Sequence, residues 1–156
     1  MKKAPKWGKR HFMELNWIGD ELFVSDTARN ILEKANITGI DFCPVKNKNG
    51  MEYFEGIHQL VIPNLAKNGF VPERTSIRKI TNCPRCGQTK YVTDGIGMLA
   101  FRKECFHDAP DVVKSSECFG ADHYITRIIL VRQKVYRTIL ENKLERSLVF
   151  EPILLL

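Results

Sequence analysis

The stretch "LFVSDTARNILEKANITGIDFCPV", residues 22–45, changes its hydrophobic period twice, and that change is what assigns the fold class. Leu22, Phe23 and Val24 form a short apolar run that reads as a strand. Ser25 or Asp26 then offers a side-chain oxygen to the unpaired amides at the start of a helix. Ala28, Ile31, Leu32 and Ala35 fall at i, i+3, i+4 and i+7, one apolar stripe along a helix of about three turns. Asn36 and Gly39 stop that helix. "IDFCPV" follows with Ile40 and Phe42 on one face of a strand, and Pro44, which has no N–H to give a neighbour, directs it to an edge or a turn.

The same order recurs 108 positions later, as "LVRQKVYRTILENKLERSLVFEPI" from Leu130, with Ile31 aligned on Ile139. Arg29, Leu32, Glu33, Phe42 and Pro44 are matched by Arg137, Leu140, Glu141, Phe150 and Pro152. Val135, Ile139 and Leu140 supply the second apolar stripe with Tyr136 on its flank, and "LVFEPILLL" closes the chain as a strand. A shared pattern of this kind points first to shared core packing. Between the copies, "EYFEGIHQLVI", "TSIRKI", "KYVT" and "GMLAFRK" alternate or run apolar between Gly, Pro and Asn breaks, and are expected to be antiparallel strands. The expectation is an α+β fold: two similar strand-helix-strand modules, about 20–46 and 128–154, flank an antiparallel strand-rich middle with a cysteine knuckle region at 80–123. Residues 1–12 are expected to be a flexible basic tail, and 13–156 a single domain.

At 156 residues the chain can bury a real apolar core, and no apolar stretch approaches the roughly 20 residues of a membrane-spanning helix. The opening "MKKAPKWGKRHF" lacks the apolar segment of a secretory signal, so a cytoplasmic protein with no membrane partner is expected. In a reducing compartment its five cysteines favour metal binding or structural thiols over disulfides. The net charge of +6 is unevenly spread. Lys2, Lys3, Lys6, Lys9 and Arg10 carry five positive charges, and taking those five from 24 bases leaves 19 against 18 acids. A second excess runs from Asn64 to Lys90, where Lys67, Arg74, Arg78, Lys79, Arg85 and Lys90 face only Glu73. Such a surface suits an acidic partner, or it is simply a solvated face beside a solubilising tail.

"NCPRCG", residues 82–87, spaces Cys83 and Cys86 so that both thiolates can point at one ion, and Gly87 permits the open backbone through which amides reach sulfur. A structural zinc needs two further ligands. Cys105 and Cys118 complete a C-x2-C-x18-C-x12-C layout, with His107 as substitute and His123 also available. A metal-free knuckle and a redox pair remain open, although the strand-like "TKYVT" after Gly87 is not the helix a thioredoxin-type cysteine needs. Cys43, beside a core strand, reads as a small buried hydrophobe. His11 and His58 have no spaced metal partner, Trp7 and Trp17 read as anchors or as stacking platforms for bases, and no catalytic motif is present.

The first module, the single "CPRCG", and "DVVKSSECFGADHYITRIILVRQKVYRTILE" ending in "VFEPI" together resemble the double-CxxCG and related immunity-protein families of bacteria. Gly39, Phe42, Pro44 and Val45 match the module-closing pattern, Cys83, Cys86 and Gly87 match one knuckle, and Glu117, Phe119 and Gly120 match the stretch before the second module. The family name promises two knuckles; this chain has one. The resemblance implies an immunity protein, not an enzyme, that binds a cognate secreted polymorphic toxin encoded by a neighbouring gene and neutralises it in the cytoplasm. Arg74, Arg78, Lys79 and Arg85 are the candidate toxin-binding residues, chosen by charge. The competing reading is a zinc-knuckle nucleic-acid-binding protein, with the tail tracking phosphates.

Overall fold

A computed structural model of the chain describes residues 8–14, 21–47, 49–95, 97–120 and 125–156. The first half runs β1 (Phe12–Glu14), β2 (Leu22–Ser25), α1 (Asp26–Lys34), β3 (Asp41–Lys46) and β4 (Tyr53–Val61). The middle runs β5 (Ile77–Asn82), β6 (Thr89–Thr93), β7 (Leu99–Phe101), β8 (Val112–Lys114) and β9 (Cys118–Phe119). The chain closes with β10 (Ile129–Val131), α2 (Gln133–Glu141) and β11 (Ile153–Leu155). The architecture is mixed α+β, with two α-helices and mainly antiparallel strands among the described residues.

Ser25 is the residue that turns strand into helix. Its extended backbone closes β2, and its Oγ accepts from the Ala28 amide at 3.3 Å, satisfying one of the donors a helix start leaves unpaired. Ala28 and Leu32 are buried, and Ile31 and Ala35 pack against the same cluster. Asn36 and Gly39, both at positive φ, end α1 as their residue types suggest. β1, β2, β4 and β3 then form an antiparallel sheet in that order, with Pro44 on the edge strand at a register shift. An edge strand can spare the N–H that proline lacks.

The second copy begins with a strand and a helix in the same order, but residues 148–152, which include the Phe150 and Pro152 matched to Phe42 and Pro44, carry no strand, and β11 begins only at Ile153. The strands also pair differently. β10 pairs antiparallel with β8, and β11 runs parallel to β7. In the first copy β2 and β3 both pair with β4. On α2, Val135 and Ile139 are buried while Leu140 is 39 % exposed, because five residues from Val135 places it off the stripe; Leu144, just past the helix, fills the core instead. Two of the pairings involving the middle are parallel, β6 with β9 and β7 with β11, where antiparallel strands were expected.

Two hydrophobic clusters form among the described residues. The first joins Phe12, Val24 and Leu60 of the four-stranded sheet to Ala28 and Leu32 of α1 and to Val135 and Ile139 of α2. The second is aromatic: Phe70 meets Tyr91, Phe101 and Phe119 at ring-centroid distances of 4.9, 5.4 and 5.0 Å, edge-on or tilted as ring quadrupoles favour. No helix among the described residues is long and apolar enough to cross a membrane.

Candidate functional site

The β5–β6 hairpin carries both sequence features that suggested function, the knuckle and most of the second basic excess. Beyond the last ladder pair, Asn82 with Thr89, the turn is closed by the Cys83 amide donating to the Gln88 carbonyl at 2.9 Å and the Gly87 amide donating to the Cys83 carbonyl at 2.8 Å. Gly87 takes φ +71, the backbone state expected of it. Cys83 is half-buried and Cys86 exposed. The backbone amides of Cys86 and Arg85, then the Cys86 thiol, hold the Cys83 thiol below its ordinary value. No helix starts at Cys83, so this polarisation comes from the turn itself.

The other candidate ligands occupy separate settings. Cys105 lies in a 3-10 turn, 3 % exposed in the aromatic cluster; burial, then the charge of Glu117, pushes its thiol up. Cys118, on β9 and equally buried, accepts a 2.8 Å hydrogen bond from the Gln88 side chain. His107 stands in solvent, paired with Asp108 at 2.8 Å, and His123 lies outside the described residues. Among the described residues no group of three or more His, Cys, Asp or Glu side chains is placed to hold a metal ion. The donor chemistry of Cys83 and Cys86 fits zinc.

Arg78 lies on β5, Arg85 in the knuckle turn and Arg74 in the 3-10 turn leading into β5; all three are exposed. None of them forms an ion pair with another described residue. Lys79 is on β5 opposite Val92. In the N-terminal segment, Lys9 and Arg10 are exposed, while Lys2, Lys3, Lys6 and Trp7 lie outside the described residues, as does Trp17. Phe12, at the end of the sequence-defined tail, is 3 % exposed and pairs with Val24.

Three polar arrangements were not singled out from sequence. Glu117 Oε1 accepts from the amides of Gly69 and Phe70 at 2.9 and 3.0 Å, beside a pocket shared by Gln88, Tyr91 and Arg102. At the start of α1, His11 Nδ1 lies 2.9 Å from Ser25 Oγ and His58 Nε2 lies 2.6 Å from Asp26 Oδ1, so both histidines have local structural partners. Asp111 ties the loop after α1 to α2, as Thr38 donates to its Oδ2 from both amide and hydroxyl and Lys134 from 3.2 Å. Each joins residues distant in sequence, which periodicity and local spacing do not reveal. Cys43 corrects an expectation: it is exposed, because strand alternation turns Phe42 toward the core and Cys43 away from it.

No protein-family model, curated protein or solved structure matches this chain.

Proposed function

We propose that the chain is a non-catalytic immunity protein that binds a cognate secreted bacterial toxin in the cytoplasm and blocks its action. The observation that carries this reading is the exposed basic hairpin. Arg78 and Arg85 stand in solvent on it, with Arg74 on the turn that enters it, and no described residue pairs with them. A guanidinium left unpaired in water is available for a bidentate bond to a carboxylate on another molecule. A patch of one sign also speeds encounter with an acidic surface and rejects a basic one. The resemblance of the module-closing and knuckle motifs to immunity proteins supplies the class of partner, a toxin whose contacted surface is acidic.

The test is co-expression with the product of the neighbouring gene, scoring host survival and co-purification. Survival with a stable complex is expected. Combining Arg74→Glu, Arg78→Glu and Lys79→Glu should raise Kd by at least about tenfold at low salt, about 1.4 kcal/mol, with the loss shrinking as salt rises. An unchanged Kd removes this surface from the toxin contact. Steeply salt-dependent binding to generic duplex, without protection from any toxin, replaces the proposal with the nucleic-acid reading.

A further inference from the structure

The knuckle offers two thiol donors, and a structural zinc takes four ligands. Two backbone bonds close its turn, from the Cys83 amide to the Gln88 carbonyl and from the Gly87 amide to the Cys83 carbonyl, with the two cysteines three positions apart on it. Nothing lies within 4 Å of where a side chain on Gly87 would begin, so the turn is open to solvent on that side. Cys86 is exposed and Cys83 half-buried, whereas Cys105 and Cys118 are each 3 % exposed. Another molecule can reach the first pair and not the second.

We propose that Cys83 and Cys86 are half of a tetrahedral zinc site that a second copy of the chain completes with its own Cys83 and Cys86. Zinc in a structural site takes four ligands and accepts four thiolates. Two identical pairs related by a two-fold axis through the ion meet that demand with a closed, symmetric contact and need no other donor. Four thiolates around a divalent ion leave the centre doubly negative. Arg85, between the two cysteines of each knuckle, contributes a cation from each copy to offset it, so the two basic hairpins, which repel one another without the ion, meet only when it is bound. The basic character of the hairpin thus has a local role in the metal centre besides its role in partner binding. This inference does not depend on the identity of the toxin.

The experiment titrates Co2+, then Zn2+, into the full chain after reduction and removal of metal with a chelator. Thiolate-to-cobalt absorption and molar mass by light scattering are followed together. Saturation at one metal ion per two chains, a tetrathiolate cobalt spectrum and a doubled mass are expected. Cys83→Ser and Cys86→Ser, both at the exposed turn, should each abolish metal uptake and the mass change while leaving the far-UV circular dichroism of the apo chain intact. Saturation at one ion per chain with the mass unchanged would overturn the proposal in favour of ligands within one molecule. So would absence of metal uptake, or a dimer that persists in chelator. A zinc-linked dimer that nevertheless fails to protect against any toxin overturns the proposed function and leaves the metal site standing.

Discussion

Two glycines with the same backbone sign show how surroundings set the weight of a residue. Gly39 has φ +86, and a Cβ there would stand 2.2 Å from the Val112 carbonyl oxygen and within 3 Å of the Pro110 ring. Gly87 has φ +71 with open space around it. Gly87→Ala pays only the left-handed strain of about 1–2 kcal/mol, whereas Gly39→Ala adds a collision with backbone that cannot move aside, and should cost at least about 3 kcal/mol. Chemical denaturation of the two variants measures the difference, and equal costs would mean that the 36–39 loop shifts freely against residues 110–112. Both glycines were legible in the sequence as turn residues. The contact that separates them was not, since Val112 lies far along the chain from Gly39.

Elements were easier to recognise than their pairings. The cap at Ser25, the α1 stripe and the edge position of Pro44 follow from contacts within a few residues, and the chain obeys them. Which strand β11 joins depends instead on the route taken by residues 142–152, and the repeated sequence pattern carries no information about that. Asp111 is the clearest element-scale tie. Burial opposes its charge, but the Thr38 amide, the Lys134 ammonium and the Thr38 hydroxyl outweigh that and hold its carboxyl below the usual value. A carboxyl depressed in the folded state binds fewer protons there than when unfolded. Its stabilisation is therefore full above the ordinary carboxylate range, near pH 4, and is lost as pH falls through that range toward the folded value. Asp111→Asn should cost about 1–3 kcal/mol at neutral pH, and the gap in Tm from the parent chain should narrow on acidification. A gap that stays constant down to acid pH would remove the carboxylate's charge from the account. Lys134→Ala, at a side chain 48 % exposed, should cost less than about 1 kcal/mol.

At the scale of the molecule, α1 and α2 stand over one hydrophobic cluster although about a hundred residues separate them. Leu32→Ala and Ile139→Ala each remove a buried branched side chain from that cluster and should cost about 2–5 kcal/mol. Because the cluster is shared, amide exchange in α2 should rise with Leu32→Ala as much as exchange in α1 does; a rise confined to α1 would show that the helices unfold independently.

From sequence alone came the α+β class, both helices, a cap at Ser25 or Asp26, strands on either side of the knuckle and the basic residues around it, all of them consequences of local period, capping chemistry and charge. Tertiary structure decided the rest. It placed β11 beside β7 and β9 beside β6 in parallel, turned Cys43 outward, buried Cys105 and Cys118, and brought Asp111 between the two helical segments. The physical reason is common to all of these. A period is written in neighbours, whereas the meeting of two distant side chains is set by which apolar faces cover one another when the whole chain closes.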